Sequence, residues 1–128
     1  MIVGLDHITV AVADLDAGVE QYRRVLGCEP SRLLDRPEEG FRAALFDLPD
    51  GSMIEVLMPT ADDSPWAKRI AERGEGIYLV SFAVEHLAET VAGMQARGVA
   101  LRTPVMSISV ISPKAAGGAL LSLTERRS

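Results

Sequence analysis

The stretch GIYLVSFAV, residues 76–84, decides the fold, because the chain contains a near-copy of it in GLDHITVAV, residues 4–12. Each copy begins with glycine, is rich in β-branched and other apolar residues, and ends in Ala-Val, which predicts a β-strand. At one position the copies differ in chemistry, since His7 of the first aligns with Leu79 of the second. The chain is therefore predicted to contain an internal repeat that is broken at a residue able to bind a metal.

A helix is predicted after each of these strands. Apolar residues follow at helical spacing in both copies, namely Leu15, Val19, Tyr22 and Leu26 in the first and Leu87, Val91 and Met94 in the second. Asp14 is a suitable N-cap for the first helix, and Gly27 and Gly98 are suitable terminators. Extended pieces separated by turns come next, at 31–35, 41–48 and 52–58, and again at 99–103, 106–112 and 118–125. This order predicts an α+β fold made of two βαβββ modules.

The predicted organisation is a single domain, residues 1–128. Module one spans 1–60, a joining helix spans 63–74 with Ser64 as its N-cap, and module two spans 75–128. Two such sheets can enclose a cleft while helices cover their outer faces. Alternation along the strands assigns to the cleft the polar side chains His7, Thr9 and Glu55 of module one. It also assigns to the cleft their equivalents in module two, which are Leu79, Ser81 and Ser122.

Composition limits the function. The net charge is −5 and no long basic run occurs, so nucleic-acid binding has no electrostatic support. No apolar run reaches the roughly 20 residues that a membrane-spanning helix needs, and a cytoplasmic protein is expected. The single cysteine, Cys28, is expected to be a small buried or half-buried packing residue.

Three segments carry a resemblance to a known family: LDHITVAV at 5–12, DSPWAKRIAERGEGI at 63–77 and SPKAAGGALLSL at 112–123. Together with the paired modules, they resemble the vicinal oxygen chelate superfamily, and within it the methylmalonyl-CoA epimerases most closely. The resemblance implies a homodimer, proton transfer on an acyl-CoA, and a divalent metal held by one ligand from the first and last strand of each module.

Carried over position by position, the resemblance implies an incomplete metal site. His7 and Glu55 match the two ligands of module one, whereas Leu79 and Ser122 stand where module two would supply the others. A leucine has no donor atom, and a neutral hydroxyl is a poor ligand. The expectation is either no tightly bound cofactor or a weakly held divalent metal (Co, Ni, Zn, Mn or Mg) on His7 and Glu55, completed by substrate oxygens.

Two further positions follow from the resemblance. Glu38, in the turn Pro37-Glu38-Glu39-Gly40, matches a family carboxylate that takes part in proton transfer, with a register uncertain by one residue. Lys114, in the run SPKAAGG, is a candidate contact for a phosphate of coenzyme A.

Two classes of function stay open. In the first, the protein is an isomerase-type enzyme that moves a proton on a small carboxylate or acyl-thioester, with Glu55, and secondly Glu38, as base and His7 as partner. In the second, it is a metal-free, non-catalytic protein that sequesters a small molecule, and His7 and Glu55 are a leftover pair in its pocket. The substrate-lining candidates are Ser81, Ser122, Lys114, Arg42 and Leu79. His86 is expected at the surface or as a helix cap, and Trp66 and Tyr78 are expected to pack.

Overall fold

The computed structural model describes residues 1–101 and 108–126. Its elements are β1 (Ile2–Ala11), α1 (Leu15–Leu26), β2 (Arg32–Arg36), β3 (Phe41–Asp47), β4 (Met53–Pro59), α2 (Pro65–Arg73), β5 (Gly76–Val84), α3 (Leu87–Ala96), β6 (Ile108–Ile111), a short 3-10 helix (Pro113–Ala116) and β7 (Leu121–Glu125). The predicted α+β class is confirmed. The strands predicted at 99–103 and 106–112 fall partly on residues 102–107, which lie outside the described residues.

The chain forms two compact units. The first unit is residues 8–78, and the second unit is residues 1–7 with the described part of 79–128. β1 is divided between them after His7, whereas the sequence-based boundary between modules lies near residue 75. No helix in the described ranges is long and apolar enough to span a bilayer.

In the first unit the strand order is β2-β3-β4-β1, and β3 pairs antiparallel with both β2 and β4. One face of this sheet packs on α1 through a core of Val10, Val12, Leu15, Ala44, Phe46 and Val56. Helix and sheet lie close together at Gly18, where a Cβ would be 3.0 Å from the side chains of Val12 and Val56. The opposite face carries Phe41, Ala43 and Leu57, and Trp66 of α2 packs on them. The even positions of β1 thus lie on the helix-covered side, as the alternation predicts.

In the second unit the strand order is β1-β5-β7-β6, with β5 parallel and β6 antiparallel to β7. α3 packs on Val84, Ile111 and Leu123 through Met94, and Phe82 and Leu121 join this core. Register places Ser81 beside Ser122 and Ala83 beside Thr124 on the other face. This face therefore carries the hydroxyls that alternation predicts for it.

The caps and turns follow the sequence signals closely. The Asp14 carboxylate accepts a hydrogen bond from the Asp16 N–H, and the Ser64 hydroxyl accepts one from the Ala67 N–H. Gly4 and Gly76, equivalent in the repeat, share a φ of +153°, which a residue with a Cβ rarely adopts.

Three single-residue predictions have different outcomes. His86 occupies the N-cap position of α3, but its exposed side chain makes no capping hydrogen bond. Tyr78 packs its ring against Trp66, 6.4 Å between centroids. The prediction for Cys28 is wrong: it is exposed, because it follows the left-handed Gly27 cap where the chain turns away from α1.

Candidate functional site

The carboxylate of Glu55 is held in the first unit by a hydroxyl from a neighbouring strand. Thr9 Oγ1 donates a hydrogen bond of 2.7 Å to Glu55 Oε1, and Thr9 is only 3% exposed. Glu55 lies on the sheet face that points away from α1, and its antiparallel partner on β3 is the buried Leu45. One carboxylate oxygen is therefore fixed, and its surroundings are largely apolar.

His7 has its partner in the second unit. Its Nδ1 lies 2.8 Å from Asp6 Oδ2, and the side chains are 16% and 14% exposed. Arg126 Nη2 lies 3.5 Å from the other Asp6 oxygen and donates a hydrogen bond of 3.0 Å to the Leu5 carbonyl. The hydrogen bond from His7, followed by the nearby Arg126 charge, lowers the pKa of Asp6 below its usual value of 3.8. Asp6 is therefore a carboxylate at neutral pH.

In the second unit, a network of hydroxyl groups occupies the position that corresponds, in the repeat, to the Glu55 carboxylate of the first unit. Ser122 Oγ donates to Ser81 Oγ at 2.7 Å, and Ser81 Oγ lies 2.7 Å from Thr124 Oγ1. Ser81 is equivalent to Thr9 in the repeat, so Ser81–Ser122 is the counterpart of Thr9–Glu55. Both serines are fully buried, at 0% and 1% exposure. The hydroxyl hydrogen of Ser122 is thus engaged in a hydrogen bond to Ser81.

These donors do not make up the metal site that the family resemblance implies. The Ser122 hydroxyl donates its hydrogen bond to Ser81, and the Leu79 side chain has no donor atom for a metal. Across residues 1–101 and 108–126, no three His, Cys, Asp or Glu side chains come together as a metal would need. His7 and Glu55 each have a hydrogen-bonding partner inside their own unit.

Glu38 lies apart from Glu55 within the first unit, and Lys114 belongs to the second unit. Glu38 is exposed in the turn between β2 and β3, beyond the Phe41–Pro59 end of the sheet. Glu55 lies four residues along β4 from that end, about 13 Å at roughly 3.3 Å per residue. Lys114 is exposed on the 3-10 helix that precedes two glycines of positive φ.

Arg42 lies on the α1 side of the sheet, opposite to the face of Glu55, because its partner on β4 is Met58 of the α1 core. There it lines a cavity of about 380 Å³ together with Leu33 and Asp35. Arg42 therefore stays a candidate contact for an anionic substrate, on the face opposite to that of Glu55. Alternation along β3, where Ala44 and Phe46 point into the α1 core, is the signal that could have placed it.

Residues 6–108 match the model of the Glyoxalase/Bleomycin resistance protein/Dioxygenase superfamily. The chain belongs to this superfamily. A curated relative in it is the ethylmalonyl-CoA/methylmalonyl-CoA epimerase of Cereibacter sphaeroides, 35% identical over 88 residues. That match takes in 68% of this chain but only 65% of the relative, so the chain spans somewhat less than two thirds of that enzyme.

Solved structures of the superfamily are also similar over nearly the whole chain. Methylmalonyl-CoA epimerase from Mycobacterium tuberculosis has a TM-score of 0.86 at 32% identity, covering 99% of this chain and 90% of that one. A methylmalonyl-CoA epimerase in complex with methylmalonyl-CoA and NH4+ has a TM-score of 0.82 at 32% identity, covering 98% and 95%. The predicted membership in the vicinal oxygen chelate superfamily, nearest to the epimerases, is confirmed.

Sequence reasoning missed two groups that contact these side chains, Asp6 and Arg126, whereas alternation along the last strand does predict Thr124 on the face of Ser122. Asp6, next to His7, carried a signal, since a carboxylate beside a histidine is a common orienting partner. Arg126 carried none, because its contact with Asp6 depends on how the segment after β7 packs against a strand 120 residues earlier in the chain.

Proposed function

We propose that the protein catalyses epimerase-type proton transfer at the carbon beside the thioester carbonyl of a small acyl-CoA, with Glu55 as the base. The observation that carries the proposal is the Thr9–Glu55 hydrogen bond on a largely apolar sheet face. It holds one carboxylate oxygen in place and leaves Oε2 with no hydrogen bond from any described residue. The similarity to methylmalonyl-CoA epimerases supports the choice of substrate class.

In the proposed reaction, Glu55 takes the proton from the α-carbon, and the electron pair of that C–H bond moves onto the thioester carbonyl as an enolate. Return of a proton to the opposite face of the α-carbon inverts its configuration. His7 is proposed as a second polar group that contacts the substrate. Glu38 is the second candidate for the carboxylate that serves as base.

The test is deuterium exchange at the α-carbon of methylmalonyl-CoA in D₂O, followed by NMR. Because general-base catalysis contributes about 10²–10⁴-fold, Glu55→Gln is expected to slow exchange by that factor while the fold is retained. Exchange that survives Glu55→Gln unchanged overturns the base assignment, and a wild type without exchange above background overturns the reaction. Glu38→Gln, with Glu39→Gln as its matched control, tests the second carboxylate and its register.

A second candidate function, binding without catalysis, is favoured by one observation: the buried hydroxyl network of Ser81 and Ser122 replaces the ligands of module two. Calorimetry with the same acyl-CoA separates the two proposals. Saturable binding by a wild type that gives no exchange supports sequestration, whereas exchange supports the enzyme. A weakly held divalent metal on His7 and Glu55 is tested by titration with cobalt or nickel, and no saturable signal at micromolar metal excludes it.

Lys114 is proposed to contact a phosphate of coenzyme A, because it is exposed on a turn flanked by two glycines. The chain has only two lysines, so Lys68→Gln is a matched control. Lys114→Gln is expected to raise KM for the acyl-CoA several-fold and to leave KM unchanged for the matching acyl-pantetheine, which lacks the nucleotide. An equal effect on both substrates contradicts the phosphate contact.

The amino-terminal half of β1 supports a homodimer. Met1, Ile2, Val3 and Leu5 are 83%, 39%, 43% and 44% exposed, so successive apolar residues are accessible although they alternate between faces. We propose that a second copy covers this segment and that the chain acts as a single domain in the cytoplasm. Sedimentation analysis of Val3→Lys tests the dimer, with Val25→Lys on the exposed side of α1 as control. A monomeric wild type contradicts it.

A further inference from the structure

The contact between Asp6 and His7 is unusual for neighbours in sequence. Successive side chains of a strand point to opposite faces, yet Asp6 Oδ2 and His7 Nδ1 lie 2.8 Å apart. Both side chains are about 85% covered, since their exposures are 14% for Asp6 and 16% for His7. A contact formed against the alternation and largely shielded from water fixes the orientation of the imidazole ring.

Asp6 is held in turn by a residue from the far end of the chain. Arg126, just after β7, places Nη2 3.5 Å from Asp6 Oδ1 and 3.0 Å from the Leu5 carbonyl oxygen. One carboxylate oxygen therefore faces His7 and the other faces the guanidinium. An aspartate that contacts a guanidinium is an ionised carboxylate near neutral pH, so Asp6 has no proton to donate to His7.

From this arrangement we infer that Asp6, anchored by Arg126, is a positioning residue that sets the tautomer of His7. An ionised carboxylate only accepts hydrogen bonds, so Nδ1 of His7 carries the proton, and the lone pair of the neutral ring is on Nε2. Nε2 is then the basic nitrogen that acts on a ligand. The inference rests on the proposed function only in giving His7 a role there, and the tautomer itself is measurable without any substrate.

The experiment is long-range ¹H–¹⁵N NMR on uniformly ¹⁵N-labelled protein at a pH where His7 is neutral, because the nitrogen shifts distinguish the two tautomers. The chain has two histidines, and the exposed His86 without a capping bond is an internal reference. Its signals are assigned with His86→Gln. In the wild type His7 is expected in the Nδ1–H form, and His86 is expected to show the tautomer mixture of a free imidazole.

Asp6→Ala is expected to shift His7 to the mixture seen for His86, and Arg126→Lys, which keeps the positive charge, is expected to retain the wild-type tautomer. Asp6→Asn is the second variant, used if Asp6→Ala fails to fold. The asparagine amide can accept a hydrogen bond from His7 through its oxygen or donate one through its N–H group, so a mixture of tautomers is again expected. A wild-type His7 in the Nε2–H form, or an unchanged Nδ1–H form in both Asp6 variants, overturns the inference.

The α-proton exchange assay on the same variants separates this inference from the proposed function. Slower exchange together with the changed tautomer supports both. A changed tautomer with wild-type exchange supports the positioning of His7 by Asp6 and contradicts a role of His7 in proton transfer.

Discussion

The hydrogen bond from Thr9 to Glu55 gives a prediction that can be worked through in energy. Thr9→Val is nearly isosteric, so it removes the donor without opening a cavity at this buried position. A hydrogen bond to a charged group contributes about 1.5–3 kcal/mol net. Because Glu55 is half-buried and water can replace part of the lost contact, we expect a destabilisation of about 1–2 kcal/mol.

Thermal unfolding converts this energy into a measurable shift. An unfolding entropy of about 2.1 cal/mol/K per residue amounts to about 0.27 kcal/mol/K for 128 residues. Each kcal/mol therefore lowers Tm by about 4 °C, and Thr9→Val is expected to lower it by about 4–8 °C. Thr60→Val, at an exposed position, is the matched control and is expected to stay within about 0.5 kcal/mol of wild type.

A double-mutant cycle with Glu55→Ala isolates the interaction, measured by urea unfolding of the two single variants and the double variant. Residues in direct contact are expected to couple, here by about 1–2 kcal/mol. A coupling below about 0.5 kcal/mol would refute the reasoning, because distant, independent sites add within that margin. In the exchange assay, Thr9→Val should lower kcat more than it changes KM, since the hydroxyl orients the base rather than the substrate.

Three further predictions concern the network, the Asp6 pair and the core. Ser81→Ala removes the hydrogen-bonding partner of the buried Ser122 hydroxyl and of the half-buried Thr124 hydroxyl. It should destabilise by about 1–3 kcal/mol in urea unfolding; no change would contradict the network. The folded-state pKa of Asp6 is below its unfolded value of 3.8, so its contribution to stability is present above that pH and is lost as pH falls through the folded pKa. The stability difference between wild type and Asp6→Asn should therefore shrink as the pH falls below 3.8, and a difference that grows in acid would show the opposite sign. Gly18→Ala should destabilise by about 1–2 kcal/mol, because its new Cβ would lie 3.0 Å from methyl groups of two valines. Gly93→Ala on α3 should stabilise by up to about 1 kcal/mol, because its new Cβ would meet only the flexible end of an arginine. Calorimetric Tm shifts of the same sign for the two variants would contradict this.

The elements were predictable because their signals are local. The Asp14 and Ser64 caps, the apolar spacing of α1 and the alternation in β1 each act within a few residues, and the structure places the elements accordingly. The candidate site was predictable only by residue type: a carboxylate at 55, an imidazole at 7, and no ligand at Leu79. Their hydrogen-bonding partners were not predictable from these signals.

The wrong prediction for Cys28 and the incomplete one for Arg42 have a common physical reason. Cys28 was assigned to packing by its residue type, but exposure is decided by where the chain leaves the Gly27 cap. Arg42 was named for its charge, and its position on the α1 side follows from the alternation along β3, which was not used. In both cases the residue's chemistry was used without the geometry of its backbone.

The sequence by itself determined the repeat, the face on which each strand residue lies, and the loss of ligand atoms at Leu79 and Ser122, because periodicity and residue chemistry are properties of short segments. Only the tertiary structure decided that Ser122 donates a hydrogen bond to Ser81 and that Arg126 forms an ion pair with Asp6. These contacts join residues 41 and 120 positions apart, and they depend on strand register and chain packing, which no short segment fixes alone.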